Sequence, residues 1–285
     1  MVLEHIISTQ RLERNPYLIL FISFVFVSFA VVLTHYFYPT DHGVVIILLT
    51  IMPAIPFFLN FIRTEEQRHE IASGSRHSIL HIYKPLISLY TFFFIGTALS
   101  FAIWASILPV GLSDSMFSDI KAELSLVRGA LTAPTAAMQY VSSPFEFILS
   151  RNLLVLALMI IFSFIYSIGS IFLLTWNAAV LGMFIEQSVR GELAMLSAQY
   201  GILTYPVAFV TGAVAALLSI LPHGIFEVSA FFIASLAGGI LSVALERHTY
   251  RRRAFWCIIQ DACKLFTLSL LLLIIGAFIE GLYAG

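Results

Sequence analysis

The chain has 285 residues, of which 60% are hydrophobic and 11% charged, with a mean hydropathy of +0.96; soluble domains are roughly half apolar and a quarter charged, so an ordinary soluble protein is excluded. A net charge of −1 leaves no global basic field for nucleic acid, and two cysteines, Cys257 and Cys263, cannot build a disulfide framework. A helix needs roughly 20 apolar residues to cross the hydrocarbon core, and seven runs of about that length or more follow one another along the chain.

Ahead of the first run, Val2, Leu3, Ile6 and Ile7 share one helical face while Glu4, Ser8 and Arg11 occupy the others, which fits a short interfacial helix or a frayed terminus. The first run, 17–38, follows Arg11 and Arg14. It is too long for a secretory signal and lacks a small-residue cleavage site, so it reads as a retained signal-anchor. The second, 43–62, contains Pro53 and Pro56 and is expected to kink. Residues 63–84 are the most polar stretch and read as a cytoplasmic helix, a turn at Gly74 and a second short helix, or as a solvated loop. His77 and His81 stand at i and i+4, with His69 upstream, but no third ligand matches them, and ordinary interfacial histidines are the preferred reading over a metal site. The third run is 85–110.

Residues 111–151 form the one large extracytoplasmic loop. Within it Met116, Phe117, Ile120, Leu124, Val127 and Leu131 recur at spacings of three and four, opposite Asp114, Asp119, Lys121 and Arg128. This amphipathic helix is expected to lie on the outer membrane surface or across the outer ends of the spans, as a lid in preference to a docking face. Pro134 and Pro144 mark turns. The fourth run, 152–185, is long enough to be cut in two at Gly169, but two crossings there would carry the basic cluster at 247–253 to the outside. It is therefore read as one tilted helix, or as a span with a half-helix that returns to the same side. Residues 186–200, with Val189, Leu193 and Leu196 against Arg190, Glu192 and Gln199, then extend it along the cytoplasmic surface. The fifth and sixth runs, 201–221 and 224–245, are joined by a turn at Pro222-His223-Gly224. Their small-residue rows, Ala208, Gly212 and Ala216 and then Ala230, Ala234 and Gly238, permit close helix packing. The seventh run is 255–283. On this reading twelve Lys and Arg lie at inner ends and three (Lys121, Arg128 and Arg151) lie outside, which places the N-terminus inside and the C-terminus outside.

An ionisable residue within a span costs roughly 3 kcal/mol and needs a partner or a task. Glu227 and Glu280 fall within spans, and His223 precedes Glu227 by one helical turn. The predicted topology sets all three at similar depth near the outer leaflet. Structural pinning of two spans, a proton or cation relay, and a metal site are the readings, in that order of preference. Asn177 is a polar group in the fourth run, five residues before Gly182, with structural and functional readings evenly balanced. There is no GxxxxGK[ST], HExxH or GxSxG pattern, so neither an enzyme nor a cofactor is expected.

Residues 221–239 combine a ProHisGly element, then Phe226-Glu227, and a small-residue helix ending in Gly; residues 167–182 form a Gly-containing span ending in Asn177 and Gly182; residues 274–281 end in Glu280-Gly281. Together these closely resemble the stage II sporulation protein M family, a group also found in archaea and non-sporulating bacteria, over roughly residues 85–285. The resemblance implies that Asn177, Gly182, His223, Gly224, Glu227 and Glu280 belong to one family core. The chain departs from the family pattern where a second Asn is expected beside Asn152, and at Val228-Ser229, where Leu-Pro is common. Residues 1–84 then form an additional interfacial helix, hairpin and cytoplasmic loop.

The expectation is an all-α, polytopic transmembrane bundle of the cell membrane. The family's namesake is a scaffold that recruits cell-wall hydrolases, which implies a membrane scaffold with protein partners or self-association in the bilayer. A transporter or exporter subunit using Glu227 and Glu280 for proton or cation coupling is the alternative.

Overall fold

The computed structural model describes residues 15–38, 42–72, 84–132, 144–165, 169–196, 200–246 and 253–284. Among the described residues all regular structure is helical: α1 Tyr17–Phe37, α2 His42–Ala72, α3 Lys84–Ile107, α4 Val110–Met116, α5 Ser118–Thr132, α6 Pro144–Ile165, α7 Ser170–Leu196, α8 Thr204–Glu246 and α9 Arg253–Ala284. Seven of these, all except α4 and α5, contain stretches long and apolar enough to cross a membrane, and the chain is a multi-pass membrane protein. The segments before residue 15, at 73–83 and at 133–143, with the expected interfacial helix, the Gly74 turn, His77, His81 and Pro134, lie outside the described residues, as does the side chain of His69.

The helices form because lipid leaves backbone N–H and C=O groups no partner except one another. Their faces then divide by period. On α1, Phe21, Val25, Phe29, Val32 and Tyr36 are exposed, while Ser23, Val27, Ala30, Val31 and Thr34 are buried against α2 and α3. Buried hydroxyls return to their own helix, as when Ser23 Oγ donates to the Ile19 carbonyl (2.7 Å) and Thr50 Oγ1 to that of Ile46 (2.8 Å). Trp104 Nε1 crosses from α3 to Ser28 Oγ on α1 at 3.0 Å.

The main core lies between α2, α3, α6, α7, α8 and α9, where Phe58, Tyr90, Phe93, Phe94 and Phe232 form an aromatic cluster; Tyr90 stacks on Phe232 with centroids 6.0 Å apart. Residues 230–240 of α8 are buried on every side, so this half of the helix is the axis of the bundle.

Two features depart from the sequence expectation, and they cancel in the count. The run 152–185 is broken: α6 ends at Ile165 and α7 starts at Ser170, with Gly169 so close to α6 that a Cβ there would stand 2.3 Å from the Phe162 carbonyl oxygen. Conversely, the runs 201–221 and 224–245 are one 43-residue helix, α8, with Pro222 inside it. Pro222-His223-Gly224 is therefore not a turn. A proline within a membrane helix is tolerated because neighbouring groups and local adjustment meet the lost hydrogen bond. The chain reversal comes earlier, at Gly201, whose φ of +55° is left-handed. The total of seven spans stands, and the basic cluster at 247–253 stays inside. Residues 186–196, expected along the cytoplasmic surface, move to the outer side as the end of α7, taking Arg190 with them. With these spans eleven basic residues fall at inner ends and four outside, which still favours the N-inside orientation used below.

At the outer side α4 and α5 fold back over the bundle. Met116, Phe117, Ile120 and Leu124 are buried against α1, α2, α3 and α7, with Phe101 edge-on to Phe117 at 5.9 Å. The amphipathic helix spends this apolar face on its own bundle, as a lid does.

Candidate functional site

The site is assembled around the middle of α8. Its inner half runs beside α6 and antiparallel to α9, and small residues set the spacing. A Cβ on Gly276 of α9 would stand 2.7 Å from Glu227 Cγ and 3.3 Å from the His223 carbonyl oxygen. One turn further out Gly281 lies against Phe145 of α6. The bare backbone at Gly276 leaves room for the Glu227 side chain between α8 and α9, and Glu280, one turn along α9 from Gly276, lines the same cavity wall. Neighbouring carboxyl groups in an apolar setting favour sharing one proton, because like charges that close are costly to ionise together. From α6, Asn152 Nδ2 donates to Glu227 Oε1 at 2.7 Å.

These groups face a cavity of about 540 Å³ between α6, α7, α8 and α9, closed by Phe94 of α3 and by Glu123 and Leu124 of α5. Asn177, His223 and Gly224 also line it. Asn177 Nδ2 bonds back to the Leu173 carbonyl (2.7 Å), while His223 Nδ1 is buried without a hydrogen-bond partner. Most of the wall is apolar, with rings from Phe94, Phe147, Trp176, Phe184 and Phe231. At the more open edge stand Ser219, which is exposed, and the ion pair of Arg151 on α6 with Glu123 on α5, both about 30% exposed. The lining thus sets three carboxyl groups against one guanidinium.

A second polar cluster secures the lid. Glu186, 2% exposed on α7, accepts from Lys121 Nζ of α5 at 3.3 Å and from Arg190 one turn along its own helix. Lys121 also reaches Asp114 at 2.7 Å, and Arg190 Nη2 donates to the Ala105 carbonyl at the end of α3 at 2.7 Å. One buried carboxylate therefore ties α3, α5 and α7 together.

Of the residues singled out in the sequence, Asn177, His223, Gly224, Glu227 and Glu280 share the cavity wall. Gly182 does not. It sits at the α3–α7 crossing, where a Cβ would meet Phe101 Cβ at 2.7 Å and the Ala98 carbonyl oxygen at 2.8 Å, so its part is packing. His223, Glu227 and Glu280 do not form a three-ligand cage; among the described residues no group of three His, Cys, Asp or Glu is placed to hold a metal ion. The small-residue rows on α8 serve packing: a Cβ on Gly212 would stand 2.7 Å from Val189 Cα on α7, and one on Gly238 2.5 Å from Ser163 Cβ on α6.

Sequence reasoning missed Asn152, Arg151, Glu123, Gly276 and Glu186 as members of these two clusters. Asn152 and Arg151 carried a usable signal, since both fall well inside α6 once the break at Gly169 is admitted. Glu186 carries no such signal, since the sequence places it at the cytoplasmic end of the fourth run, where a carboxylate needs no special partner.

A family model described as "Stage II sporulation protein M" matches residues 88–284. No curated protein and no solved structure matches the chain. The matched region contains α5 to α9 and nearly all of α3, and hence every residue named in the cavity wall.

Proposed function

We propose that this chain, which belongs to the stage II sporulation protein M family, is a non-enzymatic carrier or exporter subunit of the cell membrane, in which the Glu227–Glu280 pair exchanges a proton or a cation with a solute held in the cavity. The observation that carries this reading is the cavity itself. A half-open cleft of about 540 Å³, the size of a small-molecule site, stands between four helices beside two carboxyl groups, two asparagines and a histidine. Ionisable groups within a membrane mark solute and proton pathways when they face a water-filled space, and a scaffold needs no such space.

The scaffold implied by the family's namesake is the second reading, and partners for it remain a proposal. Its motive is family membership. Against it, α5, one of the two expected docking segments, has buried Ile120 and Leu124 in its own bundle, which leaves Leu126 as its exposed large apolar side chain among the described residues.

Thiol accessibility separates the two. In a chain with Cys257 and Cys263 replaced by serine, Ser219→Cys stands at the cavity edge, and a thiol reacts as its thiolate, which water stabilises and lipid does not. Membrane-impermeant reagents added from the outer side are expected to label it, a cationic reagent faster than an anionic one. Absence of labelling in folded protein means a sealed, dry core and would return the chain to the scaffold reading.

A further inference from the structure

The lining specifies the class of solute. Three carboxyl groups against one guanidinium repel anions. A sugar or other polyol needs many hydrogen-bond partners, and most of this wall is apolar. A hard metal ion needs six or more oxygen ligands, and the donor set does not supply a cage. Aromatic rings and a carboxylate are the partners of one remaining class: Phe94, Phe147, Trp176, Phe184 and Phe231 line the wall, aromatic rings attract a soft positive charge through their faces, and the volume is that of a site for a drug-sized molecule.

The geometry points to a lipophilic monovalent organic cation as the occupant of this cavity, its charge set against Glu227 and Glu280 and its apolar body against the aromatic wall. This assignment rests on the carrier reading above and sharpens it. Access is at the edge marked by Ser219. Leu218 and Leu221, 63% and 55% exposed, flank it on α8, so a cation dissolved in the outer leaflet meets the opening directly. As the cation enters, the proton held between the two carboxyls leaves, and the pair passes from one negative charge shared with a proton to two negative charges facing the cation. One positive charge is exchanged for another and no bond other than O–H is broken.

The test uses the purified full chain with tetraphenylphosphonium as the probe, and tetraphenylborate, of the same shape and opposite charge, as the control. Saturable binding of the cation with release of a proton is expected, with no saturable binding of the borate. Glu227→Gln and Glu280→Gln, two variants that keep the volume of the side chain, are each expected to weaken binding by roughly thirtyfold or more, as loss of a desolvated charge partner does. Trp176→Leu, which removes a ring and no charge, is expected to weaken it by several-fold. Equal binding of the two ions, or binding unchanged in both glutamine variants, overturns the inference. If Ser219→Cys is labelled from outside and tetraphenylphosphonium does not bind, the solute class is wrong and the carrier reading stands; if the cavity is not labelled either, both fall.

Discussion

Gly276 controls how closely Glu227 approaches α9, because the position a Cβ would take is already filled by Glu227 Cγ at 2.7 Å. Gly276→Ala must push the carboxylate away from Glu280 or spread the two helices, at about 1–3 kcal/mol for an overpacked site; a lowered midpoint in thermal unfolding would show it, and an unchanged midpoint would mean that Glu227 moves freely. Glu186 makes a sharper case. Glu186→Gln leaves Lys121 and Arg190 without their shared carboxylate and is expected to cost about 3 kcal/mol in denaturant unfolding, as a broken buried pair does. Lys264→Ala, which removes the exposed partner of Asp261, is expected to change stability by less than about 1 kcal/mol. Glu227, Glu280 and His223 were legible because an ionisable group in an apolar run is conspicuous. Gly276 and Asn152 were not: a glycine in a membrane helix is ordinary, and the use of Asn152 depends on a contact 75 positions away along the chain.

At the scale of elements, the chain is cut where α6 meets α7 and uncut at Pro222, the reverse of what turn chemistry implies. Pro-His-Gly is a strong turn signal in water, but in lipid a turn would leave backbone groups unpaired, and α8 is held on one face by α7 through Val189 and Ala213 and by α6 and α9 further in; together these outweigh the local preference. Parity alone argues against a cut at Gly169, and the unbroken α8 removes that objection by restoring the parity. The difference is measurable. Met195 is 75% exposed at the end of α7, and Met195→Cys, with Cys257 and Cys263 replaced by serine, is expected to react with an impermeant thiol reagent from the outer side. Reaction from the inner side alone would reinstate one crossing between residues 144 and 196.

Over the whole molecule, composition and the distribution of charge carried the class, the helical architecture and the number of spans, since each follows from summed properties that local errors leave intact. The cavity was not legible, because a void is a property of how several helices fail to touch, and no single run encodes it. Its closure depends on α5: the Arg151–Glu123 pair joins the lid to α6 at the open edge. Glu123→Gln is expected to loosen that edge and speed labelling of Ser219→Cys severalfold, without moving the unfolding midpoint as Glu186→Gln does. At about 64 Å for 43 residues, α8 is twice the hydrocarbon thickness of ~30 Å, and its outer half exposes Val210, Val214, Leu218 and Leu221; a tilt of about 40°, the upper end of the usual range, still leaves roughly 49 Å along the membrane normal, so α8 extends beyond the hydrocarbon. Glu227 lies near the middle of that helix, across the cavity wall from Glu280, and proton exchange requires that the two carboxyls hold a proton open to water. Infrared difference spectroscopy of the protein in lipid, transferred from H2O to D2O, reads this directly: a carboxylic-acid C=O band that shifts promptly on transfer and is lost in both Glu227→Gln and Glu280→Gln is the predicted result, and the absence of such a band, or one that never exchanges, would contradict a proton shared by the pair and open to water.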